Sequence, residues 1–282
     1  TVDDGLDNDT ITITGGGANT VDGGLGNDTV RIYGDGANSI AGGAGNDTLD
    51  LGNSDGNNRI DAGNGDNEVI VRHGNNTIVA AEGADTITGG NGDNSISSGA
   101  GEDRITITGG SGANTIDAGT GSDIILITGG GNNRVAAGND DDQVTITGAG
   151  ANSIDGGLGN DAITVSGNGA NTIDGGLGND TITLSGTGAN SVSGGFGNDI
   201  ILAGNADGAN RIDAGNGDNR VVVGDGANTI VAAEGADTIT GGNGDNSITS
   251  GDGADRITIA GNGENTIDAG TGSDIILITG GG

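Results

Sequence analysis

An aliphatic side chain returns to the same place in this chain about every nineteen residues. Two positions before it stands an acidic or amide residue, and this mark runs Asp9, Asp28, Asp47, Asn67, Asp85, Asp103, Asp123, Asp142, Asp161, Asp180, Asp199, Asn219, Asp237, Asp255 and Asp274. The aliphatics that follow are Ile11, Val30, Leu49, Val69, Ile87, Ile105, Ile125, Val144, Ile163, Ile182, Ile201, Val221, Ile239, Ile257 and Ile276, without a break. Beyond each mark the polarity alternates, as in Asp180-Thr181-Ile182-Thr183-Leu184, which predicts a short strand with one face inward. A second column of Asn (Asn19, Asn38, Asn58, Asn76, Asn94 and onward) precedes another aliphatic by two residues, as at Val21, Ile40 and Ile60. Each coil therefore reads as an acidic turn A, a strand, an Asn-ended turn B and a second strand. Strands this short must pair with their equivalents one coil away. The pattern predicts an all-β parallel β-solenoid of fifteen coils, most of 19 residues and a few of 18 or 20. At roughly 4.8 Å per coil it would be a rod on the order of 70 Å long.

A longer period lies above the coil. Val79–Ile96 returns as Val231–Ile248, an offset of 152 residues or eight coils, which falls to 151 after a deletion near Gly263. The chain reads as two copies of an eight-coil block, 1–152 and an incomplete 153–282, with no linker between them. We expect one array over 1–282. It starts and stops inside a repeat, as a segment of a longer array would.

Composition narrows the function classes. There are 40 acidic residues against 8 basic ones, all Arg, for a formal net charge of −32. That charge with one Tyr and one Phe is a disorder signature, but disordered chains do not hold aliphatics in register. The acidity argues against nucleic acid and anionic membranes as partners, since both attract Lys and Arg. Zero Cys removes disulfides and thiolate–metal sites, which is compatible with an extracellular home that uses another staple. The aliphatic runs are too short for membrane insertion. No Ser/His/Asp or Cys/His set exists, and the single His73 reads as a solvated turn residue, so no enzyme activity is expected.

The core is thin, with about three aliphatics per coil, and Gly89 and Gly241 replace one of them in two coils. Stacking places the turn-A carboxylates about 5 Å apart, which costs roughly 3 kcal/mol per neighbouring pair at an effective dielectric of 20. With no Lys and few Arg, the counter-charge must be an ion. The available ligands are hard oxygens, carboxylates and turn carbonyls, which suit Ca²⁺ better than the stricter octahedron of Mg²⁺. The expected carboxylate ligands are the Asp marks named above, with Asp66 and Asp218 substituting beside Asn67 and Asn219.

Asp174–Ser185 contains the nonapeptide G-G-x-G-x-D-x-U-x, where U is a large aliphatic: Gly175, Gly176, Gly178, Asp180 and Ile182. Over its whole length the chain resembles the RTX, or haemolysin-type, calcium-binding β-rolls. The 19-residue period, the G-x-G-N-D turn and the single acidic side are most similar to giant bacterial RTX adhesins, including their ice-binding region. The resemblance implies a right-handed parallel β-roll, stabilised by about one Ca²⁺ per coil on the turn-A edge, that folds after secretion. It carries over to Gly24, Gly26, Asn27 and Asp28, and to Gly176, Gly178, Asn179 and Asp180.

The turn-B Asn column reads as structural rather than as a second metal row, because Asn tolerates the left-handed conformation and stacked amides bond along a ladder. The outward positions hold Ile124 and Leu126, Ile200 and Leu202, and Ile275 and Leu277, candidate contacts for side-by-side or end-to-end association with like rods. The favoured function is a calcium-dependent structural rod of a secreted adhesin, surface layer or filament. An ice- or glycan-binding solenoid and the calcium-triggered secretion segment of a larger exoprotein are the alternatives.

Overall fold

The computed structural model describes residues 1–52 and 54–280. Among them are thirty short strands and no helix, so no helix is long and apolar enough to cross a membrane. The strands alternate between two parallel sheets, every second strand joining the same sheet, which makes a parallel solenoid of about fifteen turns. The chain separates into two compact units, Thr1–Asn139 and Asp140–Gly282.

In the first unit the strand Thr20–Leu25 pairs in parallel with Ser39–Ala44, Val21 facing Ile40. The other sheet pairs Arg104–Thr108 with Ile124–Thr128, Ile105 facing Ile125 and Ile107 facing Ile127. In the second unit Ala162–Ser166 pairs with Thr181–Gly186, so that Ile163 meets Ile182 and Val165 meets Leu184. Like therefore stacks on like. One-residue insertions are absorbed locally: the 20-residue coil from Asp199 to Asn219 carries a register shift, with Thr183 opposite Leu202 but Ser185 opposite Asn205.

The inward aliphatics form the core in both units, and Val30, Leu49, Ile105, Ile163, Ile182 and Ile239 are fully buried. The two glycine coils are better filled than their sequence suggests. Cδ1 of Ile107 lies 2.5 Å from where a β-carbon on Gly89 would stand, and Ile259 does the same at Gly241. The isoleucine of the next coil thus occupies the missing side chain's space.

The turns explain two glycines per coil. Gly176 and Gly178 have φ of 108° and 138°, in the region that a β-carbon disfavours. Four coils depart from this pair, with Asp7, Ala81, Asp140 or Ala233 at a glycine place. Asp140 occupies the place that Gly178 holds two coils later, with φ of 75°, and among the described residues it alone is a non-glycine with positive φ. The turn-B asparagines are consequently not left-handed, contrary to expectation, and another interaction must account for them. Asp140→Gly should raise the stability of the calcium-loaded chain by roughly 0.5–1 kcal/mol, the left-handed penalty less the entropy of a new glycine. A lowered thermal midpoint for this variant would show that the Asp140 side chain contributes more than its backbone costs.

Candidate metal centre

Turn A brings each Asp mark inward at the start of a strand. Asp28, Asp47, Asp85, Asp161, Asp180, Asp199, Asp237 and Asp255 are each about 1% exposed, an unusual burial for a carboxylate. One oxygen is fixed in the same way throughout. The backbone N–H of Asp161 donates to Oδ1 of Asp180, and that of Asp180 to Oδ1 of Asp199, both at 2.8 Å. In the first unit the N–H groups of Asp9, Asp28 and Asp85 donate to Asp28, Asp47 and Asp103, also at 2.8 Å. Asp123 and Asp274 receive the N–H groups of Asp103 and Asp255 at 2.7 and 3.0 Å, and the Asp142 N–H donates to Asp161 at 2.9 Å.

The other oxygen is different. Oδ2 of Asp9, Asp28, Asp47, Asp85, Asp103, Asp161, Asp180, Asp199, Asp237 and Asp255 is buried without a hydrogen-bond donor. What surrounds it is read from the two coils where Asn replaces Asp. Oδ1 of Asn67 accepts the Asp47 N–H at 2.9 Å, so its planar side chain lies as an Asp mark's does. Its Nδ2 then donates to the carbonyls of Gly65 at 2.8 Å and Gly63 at 3.3 Å. Asn219 does the same to Gly217 at 2.9 Å and Gly215 at 3.4 Å. In an Asp coil the atom in that place is a carboxylate oxygen. By that comparison its neighbours would be carbonyl oxygens, those of Gly24 and Gly26 for Asp28 and of Gly176 and Gly178 for Asp180, with no proton to share.

The first glycine of the nonapeptide backs this arrangement. A β-carbon on Gly175 would stand 2.5 Å from Asp180 Oδ2 and 2.6 Å from the Gly194 carbonyl oxygen. Gly23 is likewise 2.6 Å from both Asp28 Oδ2 and the Gly42 carbonyl by the same construction. Gly42, Gly156 and Gly194 repeat it. At these glycines oxygen atoms from two coils thus border one space, while other Asp coils carry a small side chain at the same place, as Ala118 before Asp123 and Ser98 before Asp103. Burial pushes the carboxyls of Asp85, Asp161, Asp199 and Asp237 up to about 6, opposed by the backbone N–H each receives and reinforced by nearby carboxylates. Burial, rather than mutual repulsion between stacked carboxylates, is the larger effect. No cluster of three or more His, Cys, Asp or Glu that could hold a metal occurs among the described residues. Any ion would therefore be held by widely spaced carboxylates with backbone carbonyls. A set of buried carboxylate and carbonyl oxygens short of positive charge fits a hard cation that accepts many oxygen ligands, which is the chemistry of Ca²⁺.

Turn B closes itself. The Asn171 amide donates to the Asn190 Oδ1 at 2.9 Å and to the Gly169 carbonyl at 3.0 Å, while its backbone N–H donates to the same Asn190 oxygen. Asn38 repeats the pattern with Asn58 and Gly36. This ladder is the interaction that accounts for Asn there.

Asp66 and Asp218 are not brought to the buried position. Both are exposed, and their Oδ1 atoms accept the N–H groups of Ala84 and Ala236 at 2.8 and 2.7 Å. They belong to an outer rail that sequence reasoning missed, formed where Asn or Asp precedes the mark. The N–H of Asn27 donates to Asn8 Oδ1, and that of Asn179 to Asn160 Oδ1, at 2.8 and 2.9 Å. The available signal was the repeated Asn in Asn-Asp. His73 is half-exposed, 4.0 Å from Asp55.

The outward aliphatics face outward, but incompletely. Ile124 and Ile200 are each 38% exposed, Leu126 and Leu202 are half-buried, and Arg104 and Arg220 flank Ile124 and Ile200 in register. Ile275 and Leu277 are more open, as are Ile276 and Ile278 beside them in the last described strand. A second exposed apolar column, Leu158, Leu177 and Phe196, stacks in register on turn A.

The raised carboxyls give the metal-free chain a defined pH response. Because the fold raises them above their ordinary 3.8, the folded form binds protons more tightly than the unfolded one. The benefit of protonation is complete below that value and is lost as pH rises through about 6. In chelator, β circular dichroism should therefore increase on acidification with a midpoint near 6. A midpoint near 4, where exposed carboxylates discharge, would mean that the buried column does not control folding.

No curated protein matches this chain. The family model described as RTX calcium-binding nonapeptide repeat (4 copies) matches residues 1–30, 74–105, 106–126, 125–145, 146–167, 165–185, 184–207, 206–230, 222–257 and 259–281. Those matches cover most of the solenoid and every one of its complete nonapeptides except the one at Gly42–Asp47. With its parallel coils and its column of buried carboxylates, the chain belongs to the RTX calcium-binding repeat family, whose repeats are calcium-binding segments typical of secreted proteins.

Proposed function

We propose that the chain is a calcium-dependent extracellular structural segment, a run of repeats within a secreted adhesin, surface layer or filament protein. The observation that carries this reading is the repetition of one incomplete donor set, coil after coil, with the carboxylates distributed by period rather than gathered in a cleft.

In the proposed sites Asp28 acts with the Gly24 and Gly26 carbonyls, and Asp180 with those of Gly176 and Gly178. The carbonyls of Gly42 and Gly194, from the next coil, border the same space. The same roles fall to Asp9, Asp47, Asp85, Asp103, Asp123, Asp142, Asp161, Asp199, Asp237, Asp255 and Asp274. Calcium, when bound, supplies positive charge that accepts six to eight oxygens. The chain's own residues do the rest. The Oδ1 bond holds each carboxylate in one orientation, the positive-φ glycines make the tight turn beside it, and burial keeps water from competing. Without the ion each buried carboxylate opposes folding, so order is tied to the calcium concentration outside the cell, where low-affinity modules of this kind are loaded. Uniform coils suit reach and stiffness.

Chelation at neutral pH should abolish the β circular dichroism signal, and millimolar Ca²⁺ should restore it where equal Mg²⁺ does not. A chelated chain that stays compact and β-rich would end this reading.

Association of like chains through Ile124, Leu126, Ile200, Leu202, Ile275 and Leu277 belongs to the same proposal. Ile124→Asp combined with Leu126→Asp should reduce the sedimentation coefficient of the concentrated, calcium-loaded chain while its circular dichroism is unchanged. A parent chain that sediments as a monomer would remove this part.

A further inference from the structure

The row of turn-A marks is interrupted once in each unit, at Asn67 and at Asn219. Both residues are 2% exposed, as buried as the carboxylates they replace. Both keep the shared bond: their Oδ1 atoms accept the N–H groups of Asp47 and Asp199 at 2.9 and 2.8 Å. The difference lies in the second atom. Where an Asp presents a buried oxygen with no donor, Asn67 presents an NH₂ group that donates to Gly65 and Gly63, and Asn219 one that donates to Gly217 and Gly215. Two acceptors that face a carboxylate elsewhere face a donor here.

The amide has no free proton left for those carbonyls to share with a ligand, and it adds no negative charge. The carboxylates that precede them in sequence, Asp66 and Asp218, point away along the outer rail, where Ala84 and Ala236 donate to them, and Glu68 on the other side of Asn67 is exposed. Extended backbone sends neighbouring side chains to opposite faces, so swinging Asp66 inward would require breaking that bond and displacing a fully bonded Asn67.

Resting on the calcium reading above, we propose that Asn67 and Asn219 are built-in substitutes for the cation: their turns bind no calcium, and the side-chain amide closes them instead. Each unit thereby holds one turn whose closure is independent of metal, set among turns that require it.

The test counts calcium bound by the full-length chain, by isothermal titration and native mass spectrometry with Ca²⁺ as the only added ligand. Asn67→Asp and Asn219→Asp should each add one calcium to the parent count. Asp66→Asn combined with Asp218→Asn should leave the count unchanged. Asn67→Ala combined with Asn219→Ala should also leave the count unchanged, and should lower the thermal midpoint of the calcium-loaded chain. The proposal is overturned if either Asn→Asp variant adds no calcium, if the Asp66/Asp218 pair loses any, or if the alanine pair melts as the parent does. A parent chain that takes up no calcium would instead overturn the reading on which the proposal rests.

Discussion

A solenoid with a constant repeat obliges every residue to meet its own kind one coil away. Each column must therefore be self-complementary under translation. Isoleucine satisfies this by apolar contact, as Ile163 does on Ile182. Asparagine satisfies it because one amide carries both a donor and an acceptor, so Asn171 donates to Asn190 and leaves nothing over. Aspartate does not. Its carboxylate only accepts, one oxygen takes the N–H of the preceding coil, and the other remains buried among further acceptors. The asymmetry between the two edges follows from this difference of one atom. A column of Asn is chemically closed, whereas a column of Asp is open by one oxygen per coil and needs an external positive charge.

Much of this was legible in the sequence because a strict period converts spacing directly into neighbours. The register of Ile105 on Ile125 or Val21 on Ile40 follows from counting alone, and so does the identity of the Asp column. The orientation of a carboxylate within its turn does not, since spacing is silent about which oxygen bonds to what. Only the comparison of Asn67 with its Asp equivalents reveals it. Asp66 was misplaced for a different reason: proximity in sequence was weighed above the alternation of an extended backbone, which sends adjacent side chains apart. The glycine coils were read as poorer in core because Gly89 has no side chain to count, while Ile107, from the next coil, was available to fill the space. The Asn of turn B was right in its ladder and wrong in its backbone, as an amide that bonds its neighbour needs no unusual φ.

The constraint also explains what the chain tolerates. The inner glycine of the complete nonapeptides has no room for a methyl group beside Asp180 or Asp28 as those side chains lie, whereas other coils place Ala there before an Asp mark, as at Ala118 and Asp123, or before an Asn mark, as at Ala62 and Asn67. An inserted residue can be taken up in a bulge such as that between Thr183 and Ser185, where a strand face need not be reversed.

The two side-chain rails of turn A run in opposite directions. On the inner one an earlier coil donates to a later one, as Asp161 does to Asp180, and on the outer one a later coil donates to an earlier one, as Asn179 does to Asn160. A coil made last therefore brings two things to the coil already in place, an oxygen for its waiting inner N–H and an N–H for its waiting outer oxygen. Growth of such an array has an inherent polarity. Its newest coil is always the least complete, and each coil is finished by its successor rather than by itself.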